Sequence, residues 1–202
     1  SKSDMSLSII IPLAPGDSVE RLLKRLDLCG YNPIVTSDGS RAKSLNHGGR
    51  IAEGKYLLFL HADSFLDESF MMALPKISDG DIDTLYYFKL RFDKVGLVSL
   101  NAILTNFRCR LFNLPYGDQG FCISKRLFIE SGGFREDVPY GEDMYFVLKL
   151  KSLGKSIKNI PIFLTTSSRK YDRKGWLRLT LEYQWKFWRI LFVSKFTKDK
   201  KP

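Results

Sequence analysis

The chain has 202 residues, 32 Lys or Arg against 22 Asp or Glu, and 44% hydrophobic residues, enough to bury the core of one domain of ordinary size. No segment approaches the 18 or more apolar residues of a membrane span, and no basic region leads into a cleavable apolar stretch, so the expected location is the cytoplasm. Three cysteines, Cys29, Cys109 and Cys122, widely spaced and without a C-x-x-C pair, indicate neither a disulfide framework nor a zinc knuckle and are expected to be core thiols.

Residues 7–13, LSIIIPL, are rich in β-branched side chains and predict a first strand. After Ala14-Pro15-Gly16, Asp17 and Glu20 have the spacing of a capping box, and Val19, Leu22, Leu23 and Leu26 share one helical face that Gly30 ends. A short second strand over 33–36 runs into the turn-forming Ser37-Asp38-Gly39-Ser40, followed by a helix over about 41–53. Gly54 then leads into YLLFLHADSFL, residues 56–66, an apolar run that stops abruptly at His61-Ala62-Asp63. Such a run reads as a buried parallel strand whose end delivers a carboxylate into a crevice where ligands bind in open α/β sheets. An Asp in that place also serves simply to cap the next helix.

Further on, 67–77 is helical in pattern, 84–92 strand-like and 95–112 a longer helix. Residues 115–120, PYGDQG, form a turn-rich loop before a short strand over 121–124 and a helix over 125–131 closed by Gly132-Gly133. Glu142-Asp143 opens another helix that stops at Gly154, a strand spans 157–164, and a basic, aromatic helix covers about 174–193. From Arg169 onward there are eleven Lys or Arg against three Asp or Glu, a net of +8 out of +10, so the body of the chain is nearly neutral. A basic segment of this kind attracts phosphates, nucleic acid or an anionic membrane, and equally serves as a solvated helix face. Strands alternating with helices predict an α/β fold with a mostly parallel sheet flanked by helices, in one domain over residues 1–202.

Four segments together resemble the family 2 nucleotide-sugar glycosyltransferases, which have the GT-A fold: SIIIPL at 8–13, LLFLHAD at 57–63, YGDQGFCISKRLFIESGGF at 116–134, and GED at 141–143. The closest likeness is to a short bacterial group with HAD in place of D-x-D, some of whose members carry an arsenosugar-biosynthesis label. The resemblance implies an inverting transfer of sugar from a nucleotide diphosphate sugar to a hydroxyl acceptor, assisted by Mg²⁺ or Mn²⁺. It implies Asp63 as the metal-binding carboxylate, with His61 in the place of the first acid of D-x-D, and Asp143, beside Glu142, as catalytic base. It further implies that Asp38, Arg41, Asn46 and Arg169 bind the donor and that Asp118, Gln119 and Trp176 face the acceptor. Nucleic acid is not expected as a partner.

The chain departs from the family in its first half. Ala14-Pro15-Gly16-Asp17 replaces the usual Asn-Glu after the first strand, and Asp38 stands alone where paired aspartates are usual. The passage from Asp38 to Arg41 is too brief for a helix and strand commonly found there, so the nucleotide-binding half is shortened. That leaves an alternative of another class, a non-catalytic scaffold that binds a membrane or other anionic surface. In the last helix, Leu177, Leu181, Trp185, Trp188 and Leu191 form one stripe, which is either core or partner contact or an interfacial face in peripheral contact with a membrane.

Overall fold

Leu7–Pro12 forms strand β1, buried at every residue but Ser8. In the computed structural model, which describes residues 6–198, β1 lies between two parallel partners, Ile34–Thr36 (β2) and Tyr56–Phe59 (β3). Helices Glu20–Asp27 (α1) and Arg41–Ile51 (α2) make the crossovers. Strands covered on both faces must be apolar throughout, which is why III at 9–11 and YLLF at 56–59 show no alternation.

The chain continues through Ser64–Phe65 (β4), Glu68–Ile77 (α3), Thr84–Phe92 (β5), Leu97–Phe112 (α4), Phe121–Ser124 (β6) and Lys125–Ser131 (α5). Glu142–Ser152 (α6), Ser156–Thr166 (β7), Arg169–Lys174 (α7) and Trp176–Lys198 (α8) complete it. The sheet order is β2-β1-β3-β6-β5-β7-β4. Because β6 is antiparallel to both β3 and β5, and β7 is parallel to β5, strands β1, β2, β3, β5 and β7 all point one way. Only β6 and β4 run against them, so the sheet is mostly parallel as the alternating pattern predicts.

One apolar layer packs α1 and α3 against Ile9, Ile11, Tyr56, Leu58 and Phe88. The other packs α2, α5, α6 and α8 against Ile10, Leu57, Phe59, Tyr87 and Phe121. Within it the rings of Phe59, Phe128, Phe134 and Phe146 interlock, with Phe134 and Phe146 centred 4.5 Å apart, which joins α5 and α6 to the sheet.

The structure corrects several expectations. Asp17 closes a turn by accepting the Ala14 N–H at 3.0 Å, and α1 starts later, at Glu20, with no side-chain cap. Cys29 is exposed in the turn after α1, whereas Cys109 and Cys122 are buried. The two-residue β4 and the short α7 carry too little periodicity to be read in sequence. Of the two readings left open for the α8 stripe, Leu177, Leu181, Trp185 and Trp188 face solvent, whereas Leu191 packs on the core beside Leu179, Phe187 and Ile190.

Candidate active site

All five co-directional strands end at one edge of the sheet, the edge where ligands bind in open α/β folds. β3 stops at Phe59, and the chain then turns, the Ser64 N–H donating to the His61 carbonyl at 3.0 Å. Asp63 therefore stands on a tight turn at that edge, half-buried, and β4 anchors the turn by pairing with Thr165 and Thr166 of β7.

Opposite lies the loop before β6. Phe121 pairs with Phe59, so antiparallel β6 brings residues 116–120 to the same edge. A methyl group built on Gly117 would lie 3.1 Å from His61 Nε2 and 3.2 Å from Asp143 Oδ2, which shows how closely these side chains wall the glycine. The next residue, Asp118, has its Oδ1 buried with no hydrogen-bond partner. Burial, with the charges of Asp143 and Asp63, pushes its carboxyl up to about 6, against the opposing pull of Arg108 and Arg41. Three carboxylates from separate parts of the chain thus share one cleft.

Asp143 sits in the first turn of α6, whose N-terminal Gly141 has a φ of 76° and lies against Ile190 of α8, so both backbone and space demand glycine. Asp143 Oδ2 accepts the Gly117 N–H at 2.6 Å and Oδ1 accepts the Met144 N–H at 2.8 Å. Each oxygen keeps a second lone pair. Neighbouring Glu142 is buried, which together with Asp143 raises its carboxyl, and Arg41 Nη1 lies 3.5 Å from its Oε1. Loss of hydration, then the charges of Arg41 and Lys170, hold His61 well below the usual imidazole range, so it is neutral. Tyr183 of α8 is raised to about 12 by burial, Tyr171 and Asp118, and the Arg108 guanidinium stacks 3.9 Å over the Tyr116 ring.

Among the other residues singled out in the sequence, Asn46 and Gln119 are held by buried hydrogen bonds. Asn46 donates to the Phe134 carbonyl at 2.9 Å and to Glu136 at 2.8 Å and accepts the Phe134 N–H at 2.9 Å, so its amide is committed to joining α2 to the loop after α5. Gln119 is fully buried: its Oε1 accepts the Tyr116 N–H at 2.9 Å and its Nε2 donates to the Phe88 carbonyl at 3.2 Å. Asp38, past the end of β2, pairs with His47 at 3.0 Å. The Arg169 side chain is exposed, and it is Lys170 whose charge reaches His61. Trp176 opens α8 half-buried, with its Nε1 enclosed and unpartnered. Sequence reasoning did not single out Gly117, Tyr116 or Arg108; the first two lie inside the YGDQGF segment, a signal that could have found them, whereas nothing local marks Arg108, which only tertiary packing turns onto Tyr116. Two surface grooves, of about 330 Å³ beside α3 and about 550 Å³ between α4 and β5, are not lined by Asp63, Asp118 or Asp143.

Among the described residues no three His, Cys, Asp or Glu side chains form a cage for a cation. Mg²⁺ and Mn²⁺ in nucleotide sites are held by one or two carboxylates together with phosphate oxygens, and Asp63, on an accessible turn with crowded carboxylates behind it, fits that donor set. No helix among the described residues is long and apolar enough to cross a membrane.

No protein-family model and no curated protein matches the chain. Solved structures do. S. aureus TarS 1-349 matches with a TM-score of 0.56 at 16% identity, over 81% of this chain and 61% of that one. GalNAc-T7 with UDP, GalNAc and Mn²⁺ matches with a TM-score of 0.53 at 13% identity, over 83% of this chain and 44% of that one. TarS 1-349 in complex with UDP gives 0.52 at 16%, over 81% and 60%. The chain therefore spans less than two thirds of each of these proteins. With its curled seven-stranded sheet flanked by helices, it has the fold of the GT-A glycosyltransferases.

Proposed function

We propose that the chain is an inverting glycosyltransferase that moves a sugar from a nucleotide diphosphate sugar to a hydroxyl acceptor. The observation that carries this reading is the meeting of Asp63 and Asp143 around Asp118 at the ligand-binding edge of a GT-A fold. UDP in two of the structural neighbours, and Mn²⁺ in one, make UDP-sugars with Mn²⁺ the first donors to try. The sheet and one apolar layer run from β1 to β7 and the other layer from β1 to α8, which supports reading the chain as one GT-A-like unit.

In this reading Asp63 and neutral His61 stand on the diphosphate side. A divalent cation held there supplies charge neutralisation for the departing diphosphate. Arg41 and Lys170, the cations that bear on His61, add fixed positive charge on the same side. Asp143 takes the acceptor proton through a free lone pair as the acceptor oxygen bonds to the anomeric carbon, and the electrons of the broken C–O bond leave with the diphosphate. A positioned base of this kind contributes roughly 100 to 10,000-fold. The N–H groups of Gly117 and Met144 fix the carboxylate so that it meets the acceptor in one orientation.

The test is calorimetry with a panel of UDP- and GDP-sugars, with and without Mn²⁺, on the wild type and Asp63→Ala. Cation-dependent binding that Asp63→Ala abolishes supports the reading. Absence of binding to every donor favours the scaffold alternative, which draws on the occupation of both Asp143 oxygens by backbone donors.

A further inference from the structure

Two helices carry far more exposed apolar surface than the cleft accounts for. On α4, Leu97, Leu100, Leu104, Phe107 and Leu111 are between 45% and 61% exposed. On α8, Leu177, Leu181, Trp185 and Trp188 are all near 60% exposed. Their sequence spacings, three or four residues, make each set a continuous stripe along its helix.

The stripes lie side by side. α4 and α8 touch through the Asn101–Thr180 hydrogen bond, 3.0 Å, and through Arg108, which stacks 4.6 Å over the Phe187 ring. Each helix turns a different side to the core: Val98, Ala102 and Cys109 on α4, Leu179 and Ile190 on α8. Helical phase then sets the Leu97–Leu111 stripe and the Leu177–Trp188 stripe next to the mutual contact and opposite the core, so both face outward as one platform.

We infer that this α4–α8 platform docks on an anionic lipid bilayer. Charge selects that occupant. Apart from Arg108, which is stacked on the Tyr116 and Phe187 rings, α4 carries Arg110 and no acid, and α8 contains five Lys or Arg against Glu182 alone, which Lys186 pairs. A second copy of this chain would bring the same cations against themselves, whereas anionic headgroups attract them. Arg110, Arg178 and Lys195 are exposed, and the exposed indoles of Trp185 and Trp188 suit the boundary between acyl chains and headgroups.

Flotation with vesicles tests this, independently of any donor or turnover. The wild-type chain is expected to float with phosphatidylcholine vesicles containing about 30% phosphatidylglycerol, and to bind at least tenfold less at ~500 mM than at ~50 mM salt. Leu104→Glu combined with Trp185→Glu is expected to lower the bound fraction at least tenfold. Arg178→Glu with Lys195→Glu, which leaves every apolar contact in place, is expected to weaken anionic binding and leave the melting temperature unchanged. Failure of the wild type to float with anionic vesicles overturns the inference, as does undiminished binding by both paired variants. A dimer in light scattering that the Leu104/Trp185 pair dissolves, with no flotation, assigns the platform to a second copy and likewise overturns it. Because donor calorimetry reads a different face, either conclusion can fail alone.

Discussion

Two sets of polar residues, adjacent along the chain at Asp118 and Gln119, differ in one physical respect. Asn46 and Gln119 have their amides consumed by buried backbone groups, at Phe134 in one case and at Tyr116 and Phe88 in the other. Asp63, Asp118 and Asp143 are crowded together with like charge, and Asp118 retains a buried oxygen with no partner. A joint whose hydrogen bonds are complete has nothing left to offer a ligand. A cluster that would gain from a cation or a proton is where ligand chemistry belongs. The adjacent pair Asp118-Gln119 shows that this division can fall between neighbouring residues.

Substitutions on the two sides of that line should separate cleanly. The largest effect is expected from Asp143→Asn, which keeps the shape but removes the proton acceptor: turnover should fall roughly 100 to 10,000-fold with donor affinity kept, read by steady-state kinetics and calorimetry. An active Asn variant would remove Asp143 from the role of base. Next comes Gly117→Ala, whose added methyl presses on His61 and Asp143. It should reduce turnover about tenfold or more at little cost in melting temperature, because 3.1–3.2 Å contacts displace catalytic atoms by tenths of an ångström.

On the other side, Gln119→Leu leaves the buried Tyr116 N–H and Phe88 carbonyl unpaired, at a cost of about 1–3 kcal/mol for each group left so. Thermal melting should drop by several degrees, at about 2–4 °C per kcal/mol for a chain of this size. Donor affinity of the folded fraction should not change. If Gln119→Leu instead melted normally and lost acceptor turnover, the contrast between joint and cleft would fail.

The smallest effect is a pH dependence. Folding raises Asp118 from 3.8 to about 6, so between those values the folded chain binds more protons than the unfolded one. Stability should therefore decline as pH rises through that window and level off above it. Asp118→Asn should flatten this part of the profile and stabilise the chain at neutral pH by on the order of 1 kcal/mol, measured by urea unfolding.

Local chemistry made much of the fold legible in sequence. Runs such as III at 9–11 and YLLF, buried on both faces, and the helices read over 67–77 and 125–131 were readable because their signals extend over only a few residues. The same locality produced the errors. Asp17 has capping spacing, yet it closes a turn, and the α8 stripe left core and interfacial readings both open until packing turned Leu177–Trp188 outward. Periodicity reports that a helix has an apolar side; it carries no information on which side meets the sheet.

By itself, then, the order of residues determined the strands, the helices and the short list of acids worth following, since hydrophobic period and turn chemistry act between near neighbours. Only the tertiary structure decided that β6 runs against β3, that Gly117 is walled by His61 and Asp143, and that Gln119 closes a joint while Asp118 stands open. Those outcomes depend on burial and distance between groups up to 82 positions apart, from His61 to Asp143, and such quantities exist only once the chain has packed.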